Sequence, residues 1–223
     1  MTDKVFWQDP YLDHLRTEVS AVDGDIVRLR ATIFYANAGG QESDSGTIAG
    51  MPVLKAEKNG LDIAYTLPPG HGLHAGDEVD VRIDWARRYG LMRHHFAAEM
   101  VLQLIYDCEP GILKVGAHIS PAKARIDFQR ATSISELFPT IQPQADALIA
   151  ADKPIVTAFS DEANHRRYWE VEGFARMGCG GTHPRRTGEI GGIALKRKNQ
   201  GKGVERVGIV LPATDENRHP PRG

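Results

Sequence analysis

Cys179-Gly180-Gly181-Thr182-His183 has to be read together with His95 and Glu99, which lie far upstream on a stretch with helical periodicity. A thiolate and an imidazole four residues apart, with a second i, i+4 pair elsewhere, form a split four-ligand layout that suits a zinc ion. If one ion takes all four side chains, the fold must carry a helix face and a glycine turn to the same point. Residues four apart share a helix face, so His95 and Glu99 project together. Gly180 and Gly181 let the intervening backbone turn tightly enough for Cys179 and His183 to reach one centre. Either half alone is a common pattern, a polar helix face or a packed cysteine. The pairing of the two halves carries the information.

The rest of the chain sets the frame. The first third reads as β structure, with strands expected over 26–34, 53–58, 61–66 and 78–83. Asn59-Gly60 between two of them is a hairpin signal. Short strands at this spacing suggest a small barrel. The character changes at residues 84–89, where a domain boundary is expected, giving units 1–88 and 89–223. Leu91, His95, Ala98, Leu102 and Ile105 then predict a helix over about 90–106, ended by Glu109-Pro110-Gly111. Strands are expected over 112–119, 124–128, 155–159, 169–174, 188–195 and 205–211. A second helix is expected over 133–151, with Ser133 and Glu136 in capping-box spacing and Pro139 and Pro143 in its first turn or breaking it. The polar tail from Asp215 is expected to be loose.

Composition excludes little but does exclude some classes. A net charge of −2 means that a nucleic-acid partner needs a local basic patch. No apolar run approaches the roughly 20 residues of a membrane span, and no secretory leader is recognised at the N-terminus. Two cysteines, Cys108 and Cys179, do not make a disulfide framework and fit a reducing cytoplasm. Cys108 is expected to pack at a helix end.

Gly178-Cys179-Gly180-Gly181-Thr182-His183 followed by Thr187-Gly188-Glu189-Ile190-Gly191 resembles the signature of the alanyl-tRNA editing proteins, freestanding relatives of the alanyl-tRNA synthetase editing domain. Three further stretches agree in order: Phe34-Tyr35 with Gly39-Gly40-Gln41-Glu42-Ser43-Asp44-Ser45-Gly46, Asp84-Trp85 through Arg93-His94-His95, and Arg125-Ile126-Asp127-Phe128. The resemblance covers most of residues 25–211. It implies an α+β protein, in which a small N-terminal β-barrel resembling those of translation factors precedes an α+β editing domain shared with threonyl-tRNA synthetase. It implies hydrolysis of the ester joining a wrong amino acid, typically serine, to alanine tRNA, with one zinc ion per chain. The chemical need is general: a pocket cannot strongly reject an analogue that only adds a hydroxyl, so a second site removes the product.

The chain departs from the family at its helix motif, His-x-x-x-His, because Glu99 stands where the second histidine is expected. Glu99 is open to three readings. It ligates zinc through oxygen, which gives a formally neutral site and a weaker Lewis acid than the usual thiolate with three imidazoles. It acts as a general base beside a three-ligand or metal-free site. Or the site is degenerate. Ligation by His95, Glu99, Cys179 and His183 is the preferred reading. Phe96 stands in place of a usual threonine, and Lys114 near a position often uncharged in relatives.

Other residues carry weaker signals. Thr182 either contacts substrate, as a catalytic residue beside Glu99, or supports the turn. Asp127 either accepts from a metal-bound histidine or pairs with Arg125. Gly39, Gly40 and Gln41 are expected to approach RNA, and Lys196, Arg197, Lys198 and Lys202 to meet acceptor-stem phosphates. Arg166, Arg167, Arg185 and Arg186 could extend that patch. His71, His74 and His118 are taken as loop or surface residues. The sequence thus predicts a cytoplasmic trans-editing aminoacyl-tRNA deacylase whose partner is mischarged alanine tRNA, with no DNA or membrane partner. Its rivals are a non-hydrolysing tRNA or aminoacyl binder and a metal-dependent hydrolase of small esters or amides.

Overall fold

In Glu78–Ile83 every second residue is apolar, and Val79, Val81 and Ile83 all turn inward. The computed structural model describes residues 1–212 and places this segment third in a seven-stranded antiparallel sheet. The order is Met51–Pro52, Gly46–Ile48, Glu78–Ile83, His14–Asp23, Ile26–Leu29, Asp62–Thr66, Lys55–Asn59. The two edge strands are joined only by Val53 and Leu54. Val53 N donates to Gly46 O on one side and Leu54 N to Thr66 O on the other. A chain that steps from one edge to the other in two residues requires the sheet to curl, and it forms a half-barrel around Val19, Val27, Leu29, Ile63, Tyr65 and Val81.

Two expectations here change. The strand expected over 26–34 breaks after Leu29, where Arg30 N turns to Glu18 O. It resumes at Ala31–Thr32, paired in parallel with Asp3–Lys4. The ten-residue strand His14–Asp23 had not been expected, although Leu15, Thr17 and Val19 alternate with Arg16 and Glu18.

Helix α1 (Trp85–Cys108) starts earlier than its apolar period suggests, because Asp84 caps it by accepting from Arg87 N at 3.0 Å. Its buried residues go almost all the way round, from Leu91 and Met92 through Phe96 to Val101 and Ile105. The helix is therefore interior, and it takes Arg88, Arg93, His94 and His95 inside together with its apolar residues. It lies against a four-stranded antiparallel sheet, ordered Leu113–Ile119, Ala124–Gln129, Val204–Val210, Ala194–Gly201, and against helix α2 (Phe138–Ala150). A three-stranded sheet, Val156–Asp161, Arg166–Val171 and Ala175–Gly178, ends at Cys179. The buried apolar residues fall into two clusters, one drawn from residues 6–83 and the other from 91–211. The architecture is α+β and mostly strand.

The expected Ser133 cap does not form. Ser133 Oγ meets Ser135 Oγ, the Glu136 amide goes to Ser133 O, and the Ile134 amide is satisfied by Glu205 from the distant strand at 3.1 Å. A 3₁₀ turn, Ile134–Leu137, leads into α2, which takes Pro139 in its first turn and continues through Pro143. Residues 187–190 are a 3₁₀ turn rather than a strand start, because Glu189 Oε1 accepts from the Arg185 and Arg186 amides. The tail expected from Asp215 lies outside the described residues.

Candidate functional site

His95 and Glu99 sit one turn apart on α1 and point at the loop that leaves Gly178. The loop is anchored at its start by Cys179 N donating to Arg167 O at 2.9 Å. His95 Nε2 lies 3.3 Å from Cys179 Sγ and 3.3 Å from Glu99 Oε1. Glu99 Oε2 lies 2.9 Å from His183 Nε2. One ligand atom from each of the four residues fits within a mutual 4.8 Å. The set is one sulfur, one oxygen and two nitrogens, which is a zinc-compatible donor chemistry. His183 Nδ1 is buried without a hydrogen-bond partner. The four residues fit a metal ion.

Burial alone would push the Cys179 thiol up, but His95 beside it, aided by His183, holds it below its ordinary value against the opposing charge of Glu99. Burial likewise works against ionising Glu99, and His95 and His183 overcome it, so the carboxyl is held well down. Burial would lower both imidazoles, and Cys179 with Glu99 raises them instead. Two anionic ligands are therefore ready, and a cation entering the cluster would displace protons from the imidazoles.

His95 Nδ1 meets Gln41 Oε1, which fixes the ring so that Nε2 faces the cluster. Gln41 Nε2 donates to Thr182 Oγ1 at 3.0 Å, so the same amide ties α1 to the cysteine loop. The glycine-rich segment is itself held by a fully buried pair. Arg88 of α1 donates to Asp44 at 2.9 and 2.5 Å and to Ile33 O, while Asp44 accepts from Tyr35 N. Gly40, at φ 91°, comes so close to Ala117 that a Cβ would lie 3.0 Å from its carbonyl oxygen. Gly181 has a Cβ position only 2.6 Å from His95 Nδ1 and 2.9 Å from Gln41 Oε1. The absence of a side chain there is what lets the loop close on the helix.

The first residues of the chain cross over this loop. Trp7 Nε1 donates to Gly180 O at 2.9 Å, and Tyr11 OH donates to Glu189 at 2.6 Å while accepting from Arg185 N. A cleft of 610 Å³ opens on the cluster from one side, lined by His95, Glu99, Cys179, Gly180 and Gly39 together with Trp7. A smaller one of 350 Å³ lies behind, against Thr182 and His183.

The four expected ligands come together, but several other expected roles move. Gln41 is fully buried, and its side chain serves His95 and Thr182. Asp127 binds Arg206 at 2.6 and 3.0 Å and also Arg125; no cluster histidine is among its partners. Arg197 is taken by Glu205 at 2.6 and 2.7 Å. Lys196 and Lys198 alternate with it on the exposed strand, Lys202 sits at the following turn, and none of these lines the cleft. Arg185 pairs with Asp9, and Arg186 with Asp152. Phe96 packs its ring against Trp169 and, at 6.0 Å, His183. His118 pairs with Glu42, and His71 and His74 are held in their loop. Sequence reasoning missed Trp7, Tyr11 and Lys4, which no short motif marks. No helix among the described residues is long and apolar enough to cross a membrane.

Residues 170–207, which include Cys179 and His183, match the family model described as the threonyl and alanyl tRNA synthetase second additional domain. Alanyl-tRNA editing protein AlaX-M of Methanosarcina barkeri is 31% identical over 242 aligned residues, covering 95% of this chain and 99% of that protein. The protein of the same name from Pyrococcus horikoshii is 30% identical, covering 95% and 98%. The alanine–tRNA ligase of Ignicoccus hospitalis is 32% identical across 94% of this chain, which corresponds to 26% of the ligase. Matched end to end with such relatives, and carrying the buried thiolate–carboxylate–imidazole cluster at the base of a cleft, the chain belongs to the alanyl-tRNA editing protein family.

Proposed function

We propose that this protein hydrolyses the ester of a wrongly attached amino acid, serine first among them, on alanine tRNA, with one zinc ion held by His95, Glu99, Cys179 and His183. The observation that carries the reading is the convergence of those four ligand atoms, with His95, Glu99 and Cys179 lining the larger cleft, in a chain of this family. When bound, zinc would polarise the ester carbonyl or a water.

The protein's own groups supply the rest. Gln41 holds the His95 tautomer, and Trp7 holds the Gly180 turn. Glu99 stands between both histidines and is the carboxylate in reach of the cleft, so it would ligate the metal through oxygen. The Thr182 hydroxyl, engaged by Gln41, acts through that amide as a positioning residue. In the domain reading that goes with this function, the half-barrel is the N-terminal unit of 1–88 and the remainder is the editing unit.

The test is hydrolysis of alanine tRNA mischarged with serine, beside elemental analysis of wild type and Cys179→Ala. The reading expects about one zinc per chain and release of serine, both lost in the variant. Metal-free wild type that still releases serine would overturn the zinc assignment, and absence of hydrolysis with zinc bound would overturn the deacylase assignment.

A further inference from the structure

The chain carries a net charge of −2, yet the 610 Å³ cleft is lined by five cations, Lys4, Lys58, Lys114, Arg166 and Arg167, against a single carboxylate, Glu99. That carboxylate is committed to His95 and His183. Clefts lined by one sign of charge focus field and gather counter-ions of the other sign.

The five cations are not equivalent. Lys4 Nζ donates to Leu61 O at 2.6 Å, lies 3.0 Å from His165 Nδ1 and sits over the Trp7 ring. Arg167 is buried and stacks on Trp7 and Phe159. Those two build the wall. Lys58, Lys114 and Arg166 make no ion pair among the described residues, and they come from three separate elements, the strands Lys55–Asn59, Leu113–Ile119 and Arg166–Val171. Lys58, Lys114 and Arg166, the last beside its cross-strand partner Asp161, are exposed and bring positive charge to one cleft from three sheets, a lining that favours an anionic occupant.

The size of the cleft decides what can enter. A volume of 610 Å³ is that of a small-ligand site, since such pockets span about 300–1,000 Å³. It admits a nucleotide or two, not a duplex. The Trp7 ring is already engaged by Lys4 and Arg167, so backbone charge rather than base stacking has to carry the contact.

We propose that Lys58, Lys114 and Arg166 form a phosphate track that draws the single-stranded end of an RNA into the cleft and onto the Cys179–Glu99 cluster. This rests on the tRNA reading above, and it relocates the main phosphate contacts away from Lys196, Lys198 and Lys202.

The experiment measures binding of uncharged alanine tRNA across a salt series, with full-length tRNA and with tRNA lacking its single-stranded 3′ end. Single-strand phosphate contacts each contribute about 0.7 to the slope of log affinity against log salt. The triple variant K58A/K114A/R166A should therefore lose about 2 from that slope and bind about 100-fold more weakly at 0.1 M salt. The difference should vanish with the truncated tRNA. A K196A/K198A variant should show a smaller loss that persists with truncated tRNA. Equal binding by wild type and triple variant, or a loss that survives truncation, overturns the track. Wild type that binds no tRNA at all overturns the tRNA reading itself, and the track with it.

Discussion

Gly181→Ala tests how the site is closed. The added methyl would stand 2.6 Å from His95 Nδ1 and 2.9 Å from Gln41 Oε1, and nearer still to the ring carbon between the two nitrogens. Reaching ordinary contact at 3.4 Å from the 2.6 Å at Nδ1 takes a retreat of about 0.8 Å, and the nearer ring carbon needs more. The ring has little room, because it is buried, held by Gln41, and 5.0 Å from the His183 ring. Metal ligands tolerate about 0.2 Å, so His95 would be carried out of reach of the proposed zinc. A misplacement near 1 Å costs about 100-fold in rate, or about 2.7 kcal/mol in the barrier. Overpacking adds a stability loss of about 1–3 kcal/mol. Gly180→Ala is the matched control. Its Cβ meets only the Trp7 ring, at 3.9 Å. Metal stoichiometry, seryl-tRNA deacylation and thermal unfolding of both variants should show zinc and activity lost in Gly181→Ala and retained in Gly180→Ala. If Gly181→Ala keeps wild-type zinc and rate, the loop is not closed as described.

Gln41→Ala frees the His95 ring, and zinc affinity measured by chelator competition should fall about 10–100-fold. Trp7→Phe removes the bond to Gly180 O while keeping most of the ring contacts, so it should cost about 1 kcal/mol in urea unfolding and raise KM more than it lowers kcat; an unchanged KM would show that the strap is only structural. Asp44→Asn leaves Arg88 buried with half its partner, and a loss of about 3–5 kcal/mol is expected, read as a fall in Tm. Glu205 is depressed from 4.5 to about 2, chiefly by its bonds from Arg197. A depressed carboxyl stabilises the fold above its unfolded value and loses that contribution as pH falls. Stability should therefore decline between about pH 4.5 and 2, and Glu205→Gln should flatten that decline in urea titrations; an unaltered profile would refute the assignment.

The sequence showed most plainly what rests on local chemistry. The Lys55–Asn59 and Asp62–Thr66 hairpin follows from Asn59-Gly60, and α1 from its apolar period. The four ligands were legible because glycine turns and i, i+4 spacing are local patterns. Ser133 looked like a cap, but its hydroxyl meets Ser135 and the Glu136 amide goes to the Ser133 carbonyl oxygen. What else was not legible depends on distant partners. Gln41 looked exposed on a glycine turn, and only the bridge between Gln41 and Ile119 directs its side chain inward. Lys58, Lys114 and Arg166 are separate single charges along the chain and become one surface only when three strands meet at a cleft.

The strap formed by Trp7 and Tyr11 also sets an order of events during synthesis. Trp7 bonds a carbonyl 173 residues further on, and Tyr11 a carboxylate 178 residues further on. Contacts of such separation form late and slowly, because the loop entropy is spent before they contribute. While the chain is being made, the half-barrel can assemble with Trp7 and Tyr11 not yet bonded to the cysteine loop, and α1 can meet Gln41 through His95 before Cys179 and His183 exist. The centre becomes complete only after Cys179 through Glu189 have left the ribosome and met Trp7 and Tyr11, made far earlier. A nascent or truncated chain that stops before residue 179 would therefore carry the half-barrel and the positive charges of Lys58 and Lys114 but no cysteine loop for the strap to close upon.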